Sequence, residues 1–515
     1  MKKNIEITLQ PEKIDDASFI KSIAAKSAKI SAEQITEIEY CRRSLDCRGK
    51  NPKYLLNLNV YSGADRSEPE EYQSRYKNSY DGPAVHIIGA GPAGYFAALE
   101  LLANGKKPIV FERGKDVRAR KFDIKPLMQQ GLVNHNSNYC FGEGGAGTYS
   151  DGKLYTRSIK RGNVRKILKI LVEHGADPDI MVDAQAHVGS DKLPKVMQNI
   201  RETIQKFGGE VHFNSHLSDI IIKQDKITEI IINDNQKFAL EKLILATGHS
   251  AKDVYYLLKS KGVEMEAKDF AIGFRIEHPQ ALINEIQYGK KYANLLPAAS
   301  YKLVAQAAGK GVYSFCMCPG GIIVPSSTSS SELVVNGMSM SRRNSAFANS
   351  GIVCSVNNID LVDYSKHKEF AGLKFQEDLE AAFYLDDYDN YLKSPAQRTL
   401  DFINNRESST LGKTSYIPGL VSMNLNKLFP RQISEALRLG LIEFGKKMRG
   451  YLSEDSTVIG LESRTSSPLR IPRDKETYQH IRISNLFPAG EGSGYAGGIV
   501  SSAIDGENAA KSASR

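Results

Sequence analysis

The chain has 515 residues, which at ~150 residues per domain predicts roughly three domains. Its 41% hydrophobic and 25% charged residues are typical of a globular protein and exclude a mostly disordered chain, a collagen-like chain and a coiled coil. The net charge of +9 is small for this length, and basic and acidic residues are interleaved. The charge therefore gives no argument for nucleic acid or a membrane surface as a partner.

The amino terminus and the cysteines predict a cytoplasmic protein. No apolar stretch of a signal peptide follows the two initial lysines, and no apolar run reaches the ~18 residues of a membrane span. The six cysteines are too few for a disulfide scaffold, and none forms a Cys-x-x-Cys pair. Cys316 and Cys318 flank one residue. A redox or metal role stays open for them, but packing as small buried hydrophobes is the simpler interpretation, and no metal site is predicted.

Residues 1–80 predict a small N-terminal α/β module. Strand-like runs lie at 5–9, 35–40 and 54–61, and a helix with Asp16 as its N-cap follows the first of them. A polar stretch with glycine and proline, 61–83, is predicted to be a linker to the rest of the chain.

After the linker, a buried strand, a glycine turn, an amphipathic helix and a second strand follow one another. The pattern G-x-G-x-x-G occurs three times, beginning at Gly89, Gly142 and Gly492, and is weak evidence by itself. Only the match at Gly89 follows a strand, opens a helix and leads to a second strand that ends in an acid, Glu112. This context predicts a dinucleotide site.

Each residue of this motif has a predicted task. Gly89 makes the tight turn, Gly91 lets the backbone approach a pyrophosphate, and Gly94 allows close packing of helix and strand. Glu112 would accept hydrogen bonds from a ribose hydroxyl. The match at Gly492 lies in a distant C-terminal strand–turn–helix, and a site closed by such a unit favours FAD over NAD.

The sequence resembles the glutathione-reductase-type FAD superfamily and, within it, a bacterial FAD-dependent dehydrogenase family. The stretches that carry the resemblance span residues 41 to 506 in the expected order and are CRRSLDCRGKN, GAGPAG, GEGGAGTYSDGKL, ATGHSA, FAIGFRIEHPQ, CMCPGGIIVP, NGMSMSRRNSAFANS, ESRTSSPLRIPRD and PAGEGSGYAGGIVSSAIDG. The resemblance implies the cofactor FAD and no particular substrate.

The resemblance also implies further cofactor contacts. Arg113 would lie beside the adenosine ribose, the backbone of Leu217 would meet the adenine, and Thr247 and Gly248 would end the strand under the cofactor. Glu491, after Gly490, stands where the superfamily commonly has Asp near the ribityl chain. The N–H groups of Gly497, Gly498 and Ile499 would face the flavin pyrimidine edge. The glycine-rich loop 142–154 would pack along the flavin, unless it is a plain flexible loop; its predicted contact residues are Gly145, Gly147, Thr148, Ser150, Asp151 and Gly152.

For catalysis, Arg464 and Thr465 are the preferred candidates to face the substrate. For Arg464, structural pairing with Glu462 or Glu491 is an equal alternative. His278 precedes a proline, where a structural role is favoured over acid–base chemistry. Arg342 and Arg343 could face substrate or solvent.

The predicted fold is α/β: a Rossmann-like FAD-binding domain of the glutathione-reductase type, assembled from discontinuous segments, with an inserted α+β substrate-side domain and the small N-terminal α/β module. The FAD-binding domain comprises 82–260 and 455–515, and the substrate-side domain comprises 265–450. The predicted function is an FAD-dependent oxidoreductase that moves a hydride through flavin N5 to or from a small-molecule substrate or electron acceptor. NAD(P)H, if it is the donor, would dock transiently, because nothing after residue 260 resembles a second dinucleotide fold.

Two alternatives stay open. An RNA-modifying flavoenzyme would use the basic run CRRSLDCRGK on phosphates, and its RNA binding would weaken steeply with salt. A non-catalytic protein would hold FAD structurally and recruit a partner through the N-terminal module.

Overall fold

A computed structural model of the protein describes residues 1–49, 51–67, 71–155, 161–386 and 391–515. Residues 68–70 of the predicted linker and residue 50 of the basic run lie outside the described residues. The class is mixed α/β, as predicted, and the strands of the described residues form six sheets. No helix in the described part of the chain is long and apolar enough to cross a membrane.

The N-terminal module is a three-stranded antiparallel sheet with one helix. The middle strand pairs with both of the others, in the order β1-β3-β2. The predicted N-cap is present, because the Asp16 carboxylate accepts a hydrogen bond from the N–H of Phe19 at 2.9 Å. The elements are β1 (Lys2–Leu9), α1 (Ala17–Ala28), β2 (Ile35–Asp46) and β3 (Lys53–Ser62).

A five-stranded parallel sheet follows, flanked by helices. Its order is β22-β10-β4-β5-β6, so the C-terminal strand β22 (Leu486–Pro488) joins it at one edge. A three-stranded antiparallel sheet, β7-β8-β9, branches from this part. The elements are β4 (Ala84–Ile88), α2 (Pro92–Ala103), β5 (Lys107–Phe111), α3 (Val117–Gln130), α4 (Val164–Glu173), α5 (Leu193–Lys206), β6 (Glu210–His212), β7 (Leu217–Lys223), β8 (Lys226–Ile232), β9 (Gln236–Ala239), β10 (Leu243–Leu245) and α6 (Lys252–Ser260).

The next part of the chain builds a seven-stranded, mostly antiparallel sheet of order β13-β14-β17-β12-β20-β18-β19. Two small sheets accompany it, one of β11 with β21 (Leu469–Arg470) and one of β15 with β16. The elements are β11 (Glu266–Ala267), β12 (Phe270–Pro279), α7 (Gln280–Tyr288), β13 (Val304–Ala307), β14 (Lys310–Cys318), β15 (Gly321–Pro325), β16 (Val335–Ser339), β17 (Phe347–Val356), α8 (Ala371–Ala382), β18 (Ser394–Arg398), α9 (Thr399–Ile403), β19 (Leu420–Ser422), α10 (Arg431–Lys447) and β20 (Thr457–Glu462).

One boundary differs from the prediction. The predicted cofactor domain includes everything from residue 455, but β20 pairs with β12 and β18 in the antiparallel sheet. A short buried apolar run predicts a strand but not the sheet that the strand joins, because strand pairing depends on contacts distant in sequence.

The chain then returns to the parallel sheet through β21 (Leu469–Arg470), β22 and α11 (Ile499–Ala513). The two glycine-led helices α2 and α11 pack face to face. A methyl group built at Gly506 would lie 2.0 Å from the carbonyl oxygen of Ala93, so only glycine allows this approach. A methyl group at Gly147 would lie 3.2 Å from Ile499 and 3.6 Å from Pro92, the first residues of α11 and α2, so the amino ends of both helices lie close together.

Candidate functional site

The turn after β4 requires glycine at two positions and has free space beside a third glycine. A methyl group at Gly89, whose φ is +102°, would lie 2.4 Å from the carbonyl oxygen of Ala246. At Gly94 it would lie 1.9 Å from the carbonyl oxygen of Gly89. At Gly91, in contrast, it would be more than 4 Å from every described atom outside the adjoining residues. The backbone at Gly91, beside the amino end of α2, is therefore accessible to a ligand, and a helix amino end favours an anionic one.

Other segments converge on the same edge. Methyl groups at Gly248, Gly497 and Gly498 would likewise meet no described atom within 4 Å beyond their chain neighbours. A methyl at Gly492 would lie 2.5 Å from the carbonyl oxygen of Gly248, which brings the turns after β10 and β22 together. Carboxyl ends of parallel strands are where dinucleotides bind in such sheets. The open backbone here fits an extended dinucleotide such as FAD.

The glycine-rich loop lies across this edge. The N–H of Gly144 donates to the carbonyl oxygen of Ala90 at 2.8 Å. A methyl at Gly145 would be 3.4 Å from the Cα of Gly91, and one at Gly147 would be 3.2 Å from the Ile499 side chain. The loop thus joins the first glycine turn to the start of α11.

Two polar side chains of the loop that are predicted to contact the cofactor, Thr148 and Ser150, form hydrogen bonds within the loop itself. The Thr148 hydroxyl donates to the carbonyl oxygen of Glu143 at 2.9 Å, and the Ser150 hydroxyl donates to that of Gly147 at 2.8 Å. The Gly152 N–H donates to the Ser150 hydroxyl at 3.0 Å. These bonds fix the loop's shape, and Thr148 is fully buried.

Asp151 binds polar side chains of the loop and of the antiparallel part. Its carboxylate binds the Arg343 guanidinium at 2.7 Å, contacts the Ser339 hydroxyl and lies 3.6 Å from the Lys153 ammonium. Although burial raises the pKa of Asp151, the charges of Lys153 and Arg343 outweigh it and lower that pKa. Asp151 therefore ties the loop to the antiparallel part, and its predicted contact with the cofactor stays a prediction.

Glu112, the residue predicted to bind a ribose hydroxyl, also binds backbone N–H groups of the protein. Its carboxylate accepts hydrogen bonds from the N–H groups of Ala90 at 2.9 Å, Gly114 at 3.0 Å and Gly142 at 2.9 Å. A carboxylate has about four lone-pair sites, so three are used and one remains for a ligand hydroxyl. The sequence pattern gives no sign of this structural role of Glu112.

Arg113 is held by a carboxylate and an aromatic ring. Its guanidinium lies 2.7 Å from Asp253 and stacks 4.4 Å from the centre of the Phe141 ring. Asp253 also accepts from His216 at 2.7 Å. Despite burial, these two partners lower the pKa of Asp253 to about 2. Leu217, the first residue of β7, is buried directly after His216.

The turn after β22 satisfies its own donors. Glu491 accepts a hydrogen bond from the N–H of Gly498, and the N–H of Gly497 donates to the Ser501 hydroxyl at 3.1 Å. Two N–H groups predicted for the flavin edge are therefore used inside the protein, because a carboxylate and a hydroxyl lie close enough to cap α11. The N–H of Gly490 donates to Asp505 at 2.8 Å. Thr247 is partly exposed beside this turn.

His249 lies against Glu491. Its Nε2 is 3.5 Å from a carboxylate oxygen of Glu491. Burial, together with the charges of Arg464 and Lys268, lowers the pKa of His249 to about 4, while burial raises the pKa of Glu491. The histidine is therefore neutral near pH 7.

Arg464 is buried in a network of charges. Its described partners there are not Glu462 or Glu491, the two residues with which structural pairing was the predicted alternative. Its guanidinium lies 2.5 Å from Glu332 and 3.1 Å from Glu380, and it also donates to the carbonyl oxygen of Ser326 at 3.4 Å. Lys252 binds both of these carboxylates as well. Neither Glu462 nor Glu491 is among the described partners of Arg464.

Thr465 serves the backbone. Its hydroxyl donates to the carbonyl oxygen of Ala271 at 2.7 Å and accepts from the N–H of the same residue at 3.3 Å. The side chain thus joins the end of β20 to β12. Its one hydrogen is donated and one of its two acceptor sites is used, so its predicted position facing substrate stays a prediction.

A second buried cluster was not singled out from the sequence. Arg275, in the middle of β12, donates to Glu462 at 2.7 Å, to Asn349 at 2.9 Å and to the carbonyl oxygen of Cys316 at 3.0 Å. Its side chain has no exposed surface. A charged residue inside an apolar strand, FAIGFRIEHP, was the available signal, since arginine is rarely buried unless it is paired.

The remaining candidates have structural surroundings. His278 is fully buried, its Nε2 is 2.8 Å from the carbonyl oxygen of Tyr451, and burial lowers its pKa to about 4. In the basic N-terminal run, Arg43 binds Asp179 and Asp183, and Arg48 binds Asp46. Two arginines that the RNA-binding alternative would use thus have carboxylate partners within the chain.

Comparison with known domain families agrees with this arrangement. A family described as "FAD-dependent protein, C-terminal domain-like" matches residues 269–465, which contain the antiparallel sheet from β12 to β20. A domain of unknown function, DUF8436, matches residues 1–61, the N-terminal module. The first match supports a flavoprotein with FAD as its cofactor.

The chain is 40% identical over 523 residues to a protein of Clostridium beijerinckii (strain ATCC 51743 / NCIMB 8052) described as an uncharacterized protein. The alignment covers 98% of this chain and 96% of that protein. The chain therefore belongs to the family of the Clostridium protein.

Several solved structures show a distant similarity. The flavin-dependent brominase Bmp2 (a triple mutant) is 10% identical, with 84% of this chain and 79% of that chain covered and a TM-score of 0.38. Tetracycline destructase Tet(55) is 10% identical, with 82% and 78% covered and a TM-score of 0.33. CtdE in complex with FAD is 13% identical, with 84% and 83% covered and a TM-score of 0.30. The strand order described above, and not these overlays, defines the fold.

Proposed function

We propose that the protein is an FAD-dependent oxidoreductase with a Rossmann-like cofactor domain of the glutathione-reductase type. The observation that carries the proposal is the open backbone at Gly91, at the carboxyl end of β4 and the amino end of α2. The match to an FAD-dependent family over residues 269–465 supports FAD as the dinucleotide.

In this proposal the described residues hold the cofactor in three places. The backbone at Gly91 and the amino end of α2 bind the pyrophosphate, where partial positive charge meets the phosphates. The remaining lone pair of the Glu112 carboxylate would accept a hydrogen bond from a ribose hydroxyl. The backbone at Gly248 and Gly498, which has open space before it, borders the rest of the cofactor.

Bound FAD would supply hydride and two-electron chemistry at flavin N5. The chain would contribute the shape and charge around it. Neutral His249 and the carboxylate of Glu491 stand at the turn before α11, and the pKa of Glu491 is raised by burial. This pair can hold a single proton at that turn. The electron donor and acceptor would be small molecules, with NAD(P)H as a transient donor.

The proposal is tested by an anaerobic visible spectrum of the purified protein before and after NADH or NADPH is added. A flavin absorbance band that bleaches within seconds supports a nicotinamide-driven reductase and identifies its donor. A bound flavin that stays oxidised directs the search to substrate-reduced chemistry. Purified protein with no flavin, and no uptake of added FAD in an equilibrium binding measurement, would overturn the cofactor assignment.

A further inference from the structure

Cys316 and Cys318 stand at a distorted end of strand β14. The pairing of β14 with β17 shifts register between Phe315 and Cys318, which marks a bulge. Within it, Cys316 has a φ of +43°, a left-handed conformation that costs a non-glycine residue energy. Arg275 holds the bulge through the carbonyl oxygen of Cys316, at 3.0 Å. The surrounding sheet thus enforces an unfavourable backbone that positions one thiol.

A single ammonium lies between both sulfur atoms. The Nζ of Lys153 is 3.6 Å from the Sγ of Cys316 and 3.7 Å from the Sγ of Cys318. The Lys153 side chain is 19% exposed, so its charge is largely removed from water. The nearby Asp151 carboxylate, 3.6 Å from this ammonium, is shared with the Arg343 guanidinium, so two cations face one carboxylate. A thiolate would supply the second negative charge, whereas two neutral thiols would not. This contact distinguishes the pair from ordinary core cysteines.

The two thiols are unequal. Cys316 is partly exposed and Cys318 is fully buried. The Cys318 thiol donates to the carbonyl oxygen of Cys316 at 3.3 Å. The neighbouring Cys318 thiol and the charges of Lys153 and Arg275 lower the pKa of Cys316, whereas the neighbouring Cys316 sulfur and burial raise the pKa of Cys318. For comparison, burial raises the pKa of Cys354, in β17, to about 12. An accessible thiolate with a buried thiol beside it is the arrangement of a nucleophile and a resolving cysteine.

We propose that Cys316 and Cys318 are a redox-active dithiol that exchanges with disulfides. The Cys316 thiolate attacks one sulfur of a small-molecule disulfide, forms a mixed disulfide and releases one thiolate. Cys318 then attacks the Cys316 sulfur, its proton passes to the first released thiolate, and the second thiolate leaves. Two protein thiols are oxidised to one disulfide, and the substrate disulfide is reduced by two electrons. Lys153 acts as a positioning residue that stabilises the thiolate. The step does not depend on the proposed flavin chemistry.

The test equilibrates the full-length protein anaerobically with glutathione and glutathione disulfide at a series of ratios. Acid quenching, unfolding and alkylation then precede peptide mass spectrometry. We expect the peptide with Cys316 and Cys318 to lose two hydrogens and its alkylation as the ratio becomes oxidising, while Cys354 stays alkylated. If both cysteines remain thiols in a large excess of glutathione disulfide, the proposal is overturned.

Three variants separate the roles. Cys318→Ser should trap glutathione on Cys316, and Cys316→Ser should form no mixed disulfide at Cys318. Lys153→Met should slow alkylation of native Cys316 roughly tenfold, because the thiolate loses its counter-charge. Cys354→Ser is the matched control and should keep the internal disulfide. Circular dichroism checks that each variant is folded. If Lys153→Met unfolds, the Cys318→Ser trap still decides, and its failure to bind glutathione would contradict Cys316 as the nucleophile.

Discussion

Lys252 and Arg464 bind the same two carboxylates from opposite parts of the chain. The Lys252 ammonium lies 2.5 Å from Glu380 and 3.1 Å from Glu332. The Arg464 guanidinium lies 3.1 Å and 2.5 Å from the same two side chains. Lys252 begins α6 beside the parallel sheet, whereas Glu380 is on α8 and Arg464 follows β20. The network therefore joins the parallel and antiparallel parts of the protein.

Removing one carboxylate of this network should destabilise the protein. Glu380 has no exposed surface, so Glu380→Ala leaves two cations sharing one buried carboxylate. We expect the free energy of unfolding to fall by about 3–5 kcal/mol, as for other broken buried pairs. Urea unfolding followed by far-UV circular dichroism measures this, since the chain has no tryptophan.

The matched control is on the same helix. Asp378 makes an exposed pair with Lys374 at 2.9 Å, so Asp378→Asn should change the free energy of unfolding by at most about 0.5 kcal/mol. Equal effects of the two substitutions would mean that the buried network adds nothing to the joining of the two parts.

Substitution at Gly91 should remove the cofactor and leave the fold intact. A side chain there meets open space and an extended backbone, with φ at −77°. Gly91→Val should therefore fold normally but block the approach of a pyrophosphate to the backbone. Flavin content per chain, measured by absorbance after denaturation, should fall at least tenfold. Gly412→Val, at a site whose nearest contact would be 3.9 Å away, is the control and should keep wild-type flavin content. Wild-type flavin content in Gly91→Val would move the site elsewhere.

Gly94 should show the opposite behaviour. A methyl group there would lie 1.9 Å from the carbonyl oxygen of Gly89, and α2 would have to move away from β4. We expect Gly94→Ala to lower the free energy of unfolding by about 3 kcal/mol, the upper end of overpacking costs. Thermal unfolding followed by circular dichroism measures the effect. A melting temperature unchanged from wild type would show that the contact can relax.

The sequence predicts the first glycine turn well because its signals are local. The strand, the three glycines and the acid all lie between residues 84 and 112, and each has a steric or electrostatic requirement that the sequence itself displays. Arg464 is different. Its partners Glu332 and Glu380 are 132 and 84 residues away in the chain, so only the folded sheet brings them together.

The same reason explains the other differences. The sequence shows that Asp151 and Thr465 are polar, but not that Arg343 and the backbone of Ala271 are their partners. Likewise, the glycines before α11 predict an open helix end, and Glu491 caps it only because the turn after β22 folds back. Local patterns thus predict elements and turns, whereas the partner of a buried polar group is decided by tertiary contacts.

His278 should make the protein's stability depend on pH. Its folded-state pKa is about 4, against 6.5 as the ordinary value, because the ring is fully buried. Between pH 6.5 and pH 4 the histidine is protonated in the unfolded chain but neutral in the folded protein. The free energy of unfolding therefore falls as the pH falls through this range. From pH 7 to pH 5, this one group should cost about 2 kcal/mol of the free energy of unfolding.

His278→Gln keeps an N–H donor for the carbonyl oxygen of Tyr451 but cannot titrate, so the variant should lose about 2 kcal/mol less than wild type over that interval. Urea unfolding at the two pH values measures the difference. His367→Gln, at a half-buried position outside the sheets, is the control and should follow the wild-type slope. Parallel pH profiles for wild type and His278→Gln would mean that the buried ring takes up its proton without unfolding. His249, whose pKa is also about 4, lowers the free energy of unfolding of wild type and both variants by the same amount over this interval. It therefore does not affect the comparison.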